Sequence, residues 1–231
     1  MAVQKLLVNG TKYSMMVVLP IAVSYVVIGD IFLSLWIGPK YAIAGYGVLI
    51  ILTIAMTANI SQHVSIQILQ GIAKHGSMAY VTILEAAANI VLSLILVKHY
   101  GIIGVAIGML IPMLFKNLIF IPWYMCRQLD LSLVRLFGNG ILVPLIPTMI
   151  FGIFLYAGSK VIKIDTWTEF VLVLGACLVC YAYCAWQICL SRQERDERRK
   201  DFGSVIRSGF TFIRSIVLSI RSRSRTERVT P

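Results

Sequence analysis

The chain has 231 residues, of which 58% are hydrophobic and 13% charged, with a formal net charge of +11. An ordinary soluble domain is about half apolar and about a quarter charged, so this composition excludes a typical soluble enzyme. The positive charge does not indicate a nucleic-acid-binding domain either, because eleven of the 21 Lys and Arg residues lie after Ser191 and describe a tail.

The apolar residues fall in blocks, and they predict an all-α integral membrane protein. Six helices are expected at about 13–36, 43–70, 78–97, 102–125, 140–158 and 167–190. A hydrocarbon layer needs about 20 apolar residues per crossing, and each block supplies them. Residues 1–12, with Lys5 and Lys12, form a short N-terminal segment ahead of an apolar run too long for a signal peptide. Pro20 lies inside the first helix, and Asp30 sits near its outer end.

The second helix carries Asn59, Gln62, His63, Gln67 and Gln70. These offsets fall within one broad stripe of a helix. Two readings of the stripe stand: a hydrated lumen wall that meets a polar substrate, or interhelical hydrogen bonding that holds the bundle together.

The third and fourth helices are joined by the short turn Lys98-His99-Tyr100-Gly101. Glu85 and Asn89 lie one turn apart in the third, and Lys116 lies in the fourth. A carboxylate and an ammonium in hydrocarbon each need a partner or a wet cavity. Glu85 is therefore a coupling or substrate-contact candidate, or half of a fixed ion pair with Lys116. Gly104 and Gly108 have the spacing that lets helices approach closely. Pro112, Pro144 and Pro147 also fall within spans and can kink them.

The sixth helix holds Cys177, Cys180 and Cys184 on one face. No His or carboxylate shares that face at matching spacing, so these read as small packing residues in preference to a metal or redox site. The chain carries none of the familiar hydrolase, metalloprotease or phosphate-loop motifs, and it is read as a non-enzyme.

The tail from 191 to 231 is basic. Within 202–221, Phe202, Ile206, Phe210, Ile213, Val217 and Ile220 recur at helical spacing, while Arg207, Arg214 and Arg221 recur every seven residues. That pattern predicts an interfacial amphipathic helix whose arginines face anionic headgroups. Because basic residues favour the cytoplasm, the tail places both termini on the cytoplasmic side of the inner membrane.

One further set of residues carries a resemblance. It comprises Pro20, the Leu35-Trp36-Ile37-Gly38 exit with Tyr41-Ala42, Gly71 with Lys74, Glu85 with Asn89, and Tyr100-Gly101-Ile102 followed by Gly104-Val105-Ala106. In this order, over roughly residues 10–190, the chain resembles the C-terminal half of polysaccharide flippases. These are the O-antigen and teichoic-acid export proteins, within the superfamily that includes multidrug and toxin exporters.

The resemblance implies one six-helix lobe of a two-lobed transporter. Such a protein moves a polyprenyl-diphosphate-linked glycan across the cytoplasmic membrane by alternating access. It uses an H+ or Na+ gradient and no bound cofactor or metal. The expected partners are a separate N-terminal lobe or a second copy, the lipid-linked glycan and membrane lipids, with no nucleic acid. The expected cavity residues are Asn59, Gln62, His63, Gln67, Glu85, Asn89 and Lys116. A drug exporter of the same superfamily, or a truncated non-transporting remnant or scaffold, are the alternatives.

Overall fold

The protein is described by a computed structural model covering residues 2–71, 76–129 and 131–189. The expected tail helix, with Arg207, Arg214 and Arg221, lies outside the described residues, as does Lys74. Every regular element among the described residues is helical. Among the described residues, five helical runs are long and apolar enough to cross a membrane: Val3–Ile37, Pro39–Gly71, Met78–Leu129, Gly138–Val161 and Trp167–Cys189.

Helix α1 (Ala2–Ile37) is longer than expected and begins eleven residues earlier than the sequence reading placed it. Its N-terminal turns are held by tertiary contacts. Gln4 Nε2 donates to the Leu129 carbonyl at 2.7 Å, and Leu7 and Val8 are buried in a core with Leu69, Ile121, Met125 and Leu136. The helix bends at Ile28, whose φ of −127° and ψ of 16° leave the helical range. It ends at Gly38, where φ is +95°. Pro39 then opens α2 (Pro39–Ser61), at a first-turn position where its missing N–H costs nothing.

The run expected at 43–70 is not one uninterrupted helix. It breaks at Gln62 (φ −103°, ψ 2°) into α2 and α3 (His63–Gly71). α1 and α2–α3 run antiparallel with close backbones. A Cβ on Gly10 would come within 2.9 Å of Val64, and one on Gly29 within 2.9 Å of Leu49.

Helix α4 (Gly76–Leu114) contains a reversal at Gly101, with φ 57° and ψ −137°. Only glycine adopts this conformation without strain. The two arms then lie against each other. A Cβ on Gly104 would stand 2.2 Å from the Leu96 carbonyl oxygen, and one on Gly108 would stand 2.6 Å from the Ser93 nitrogen. The small residues are the contact surface of a helical hairpin, and their partner is the chain's own preceding arm. The third of the five runs therefore doubles back on itself.

Pro112 lies in the second arm, shortly before a π-helical turn at Phe115–Phe120. α5 (Ile121–Leu129) follows, then the short α6 (Leu133–Phe137) and a second π turn at Gly138–Leu142.

α7 (Val143–Val161) and α8 (Trp167–Cys189) pack against α1. Their shared core holds Ile28, Phe151, Leu155, Phe170, Val173 and Tyr181. Tyr181 donates its hydroxyl to the Met16 carbonyl at 2.7 Å, which satisfies the one polar atom that this ring brings into the core. The start of α8 is a capping box. Glu169 Oε2 accepts the Asp165 and Thr166 N–H groups at 2.9 and 3.0 Å, and the Glu169 N–H donates to Thr166 Oγ1 at 3.4 Å.

Outside these cores the surface is apolar. Ile83 is 68% exposed and Leu94 62%, for example. Exposed apolar area on this scale marks a surface that meets lipid or another protein.

Candidate functional site

The polar groups within the apolar runs separate into three arrangements. The first is a ladder on the first arm of the hairpin. Glu85, Asn89 and Ser93 are spaced by four residues, so they share one helix face. That face meets the second arm. Lys116 Nζ donates to Glu85 Oε2 at 2.5 Å, and the two side chains are only 11% and 16% exposed. Ser93 Oγ is within reach of two acceptors, Asn89 Oδ1 at 3.1 Å and the Val105 carbonyl at 3.3 Å.

Of the readings left open for Glu85, the ion pair with Lys116 is the one whose contact is present, and Asn89 joins the same ladder. Attraction between two charges strengthens as water is excluded, yet each charge also loses hydration. Removing one partner leaves an uncompensated charge, which is the expensive state.

Lys116 belongs to the π-helical turn, and its neighbour Asn117 is completely buried. Neither Asn117 Nδ2 nor Oδ1 has a hydrogen-bond partner among the described residues. An unpaired buried polar group costs about 1–3 kcal/mol, so such a position calls for an explanation. Single π turns inside α-helices often occur at functional sites. The sequence reading missed Asn117. Its only signal was adjacency to Lys116, because the widened turn that buries both residues is a tertiary effect.

The second arrangement is a local knot at the α2–α3 break. Gln62 is 1% exposed. Its Nε2 donates to Ser61 Oγ at 3.3 Å, and its Oε1 accepts from Ser65 Oγ at 3.0 Å. Gln62 thus spends its amide within three residues of itself.

The third arrangement is exposed. His63 and Gln67 lie one turn apart on the surface of α3, with Gln67 Nε2 3.4 Å from His63 Nε2. The amide donates when the ring proton is on Nδ1. Gln70 is exposed on the same short helix, while Asn59 is half-buried at the end of α2.

The single stripe expected at 59–70 is accordingly split. Gln62 turns inward, whereas His63 and Gln67 are exposed. The Glu85 ladder forms within the hairpin, and α2 packs against both α4 and the π turn. Among the described residues no cluster of three or more His, Cys, Asp or Glu side chains has the arrangement of a metal site.

No protein-family profile matches the chain, and no solved structure matches it. It is 27% identical over 173 residues to an uncharacterized membrane protein, EpsK, of Bacillus subtilis (strain 168). That alignment covers 74% of this chain and 34% of the relative, so the chain spans about a third of the relative's length. The five apolar runs and this likeness together describe a multi-pass membrane protein.

Proposed function

We propose that the chain is one lobe of a transporter that carries a lipid-linked polysaccharide unit across the cytoplasmic membrane. The observation that carries the reading is the Glu85–Lys116 pair, enclosed in an apolar hairpin and seated on a π turn beside the buried amide of Asn117. Charged groups inside a membrane span are rare, and they commonly mark an ion or substrate path.

In this reading the two arms around Gly101 are separate crossings, which makes six in all. The basic tail after Ser191 keeps both ends of the lobe cytoplasmic. Breaking and remaking the Glu85–Lys116 contact supplies the two-state element that alternating access requires. The exposed His63–Gln67 pair meets the polar part of the substrate, and a second lobe or second copy completes the wall opposite.

Likeness to a membrane protein supports membrane placement, and the chain covers about a third of that relative. The resemblance of the ordered residues from Pro20 to Ala106 supports a glycan-lipid cargo. Acidic side chains within the apolar runs are few, which favours an anionic cargo over a cationic drug.

The test is rescue of surface glycan in cells lacking their own glycan flippase. The chain is expressed alone and then with a matching N-terminal lobe. Rescue only in the second case supports a split transporter, and rescue by the chain alone supports a homodimer. Stable insertion without rescue in either case rejects the reading.

One observation favours a second reading, a non-transporting membrane scaffold. Glu85 and Lys116 already satisfy each other, as a fixed structural clamp would.

A further inference from the structure

The π turn that carries Lys116 and Asn117 holds one more residue than an α-helical turn would. Ile121, just past its end, donates its N–H to the Lys116 carbonyl five residues back. An extra residue of this kind is not tied to one place in a helix. As it moves along, bonds to the fifth residue back form where bonds to the fourth are lost, so the backbone keeps its number of hydrogen bonds. The helix on either side of the crossed segment stays in place.

Within the crossed segment the residues change places. If the extra residue moves toward the N-terminus, each residue it passes takes the position of the one before it. Asn117 then stands where Lys116 stood. Lys116 stands where Phe115 stood, about 100° around the helix.

Three observations favour that move. Asn117 is fully buried with neither polar atom paired among the described residues, and the position of Lys116 is the one that faces Glu85. The move therefore gives the amide a partner. Pro112 precedes Lys116 by one turn on the same arm and has no N–H, so the Gly108 carbonyl lacks its helical donor where the extra residue would be received. Phe115 is 62% exposed, so the ammonium passes from an enclosed position to an open one.

The charge on Glu85 opposes the move. Without Lys116 an ionised Glu85 would be a stranded carboxylate, which is the expensive state. The π turn and α2 both pack against α4. α2 has no ionisable side chain from Gly47 to Ser61, so Lys116 is the charged group that holds Glu85. A neutral side chain at 85 removes that hold and can still pair with an amide.

We infer that the π turn moves by one residue when Glu85 is neutral, exchanging Lys116 for Asn117 opposite residue 85. Asn117 is then a positioning residue, whose unpaired amide in the present state is what the moved state satisfies. A proton on Glu85 is the natural trigger, and Glu85→Gln imitates it. The exchange would give the proposed transporter its second state, but it rests on the hairpin alone. Its experiment measures no transport, so either reading can fail without the other.

The experiment uses the full chain in a mild detergent and a small membrane-permeant succinimidyl ester. Modification of each lysine is followed by peptide mass spectrometry. In the wild type, Lys116 should react at least tenfold more slowly than the exposed Lys160. Glu85→Gln should raise the Lys116 rate at least fivefold. Adding Asn117→Leu, which cannot pair with residue 85, should return the rate to within about a factor of two of the wild type. Should that double variant not fold, Glu85→Gln with Pro112→Ala decides. It keeps Asn117 but restores the donor to the Gly108 carbonyl, and it should lower the rate of Glu85→Gln several-fold.

A Lys116 rate unchanged by Glu85→Gln would overturn the exchange. A rate that rises and then stays high when Asn117→Leu is added would also overturn it. The ammonium would in that case be released by loss of its partner alone, with the π turn unmoved.

Discussion

Lys116 Nζ and Glu85 Oε2 meet at 2.5 Å across the hairpin that turns at Gly101. The contact joins residues 31 apart in sequence, and both side chains are largely withdrawn from the surface. It fixes the register of the two arms, because a slip of one residue would carry each charge about 100° around its helix, away from the other.

Breaking the pair from one side should cost more than removing it whole. Glu85→Ala and Lys116→Ala each leave a charge without its partner, an expected loss of about 3 kcal/mol per variant. Glu85→Gln with Lys116→Met removes both charges and should lose less than either single change. Equilibrium unfolding in detergent of the wild type, the singles and the double checks this. Additive losses would mean that the two groups do not interact.

In a complete transporter, Glu85→Gln separates mechanism from architecture. The amide keeps the shape and one acceptor for Lys116 but removes the charge. Surface glycan export should fall at least tenfold, while the amount of inserted protein stays within about a factor of two. Unchanged export would remove Glu85 from the mechanism and strengthen the scaffold reading.

The hairpin makes a sharper structural prediction. Gly101 has φ 57° with ψ −137°, a region that side chains with a Cβ rarely adopt. Gly101→Ala should cost about 1–3 kcal/mol. Gly104→Ala should cost more, because its Cβ would meet backbone at 2.2 Å and not the flexible end of a side chain. Among the described residues nothing lies within 4 Å of a Cβ added at Gly71, so Gly71→Ala serves as the control and should leave the thermal transition within about a degree.

Several of these features were legible in the residue order. The cost of charge in hydrocarbon singles out Glu85 and Lys116 but leaves their pairing as one option among others, and the turn at Gly101 follows from a glycine between two apolar runs. The polar stripe on the second run was less legible. Periodicity places Gln62, His63 and Gln67 on neighbouring positions, but it is blind to Ser61 and Ser65, which draw the Gln62 amide inward. The early start of α1 was hidden for a similar reason. Lys5 and Lys12 read as a short segment ahead of the first apolar run, whereas packing of Leu7 and Val8 against Leu69 and Ile121 accompanies a helix that runs through them. The π turn at Phe115–Phe120 has no sequence signature of its own, because its extra residue is accommodated by contacts with α2 and α5.

Asn117 offers the final prediction. Its amide is fully buried with neither polar atom paired among the described residues, so it is expected to lower stability as it stands. Asn117→Leu, with the same branched skeleton of side-chain heavy atoms but bulkier methyl ends, removes the unpaired atoms and should leave stability unchanged or raise it by about 1 kcal/mol. Asn117→Asp places a second carboxylate in the turn that holds Lys116, and it should destabilise by several kcal/mol unless Lys116 leaves Glu85 to meet it. Adding Glu85→Gln to Asn117→Asp distinguishes these cases. If Lys116 switches partners, the second change restores stability toward the wild type. If Lys116 stays with Glu85, the double variant is the least stable of the set. A strongly destabilised Asn117→Leu would show instead that the amide has a partner that holds the π turn in place.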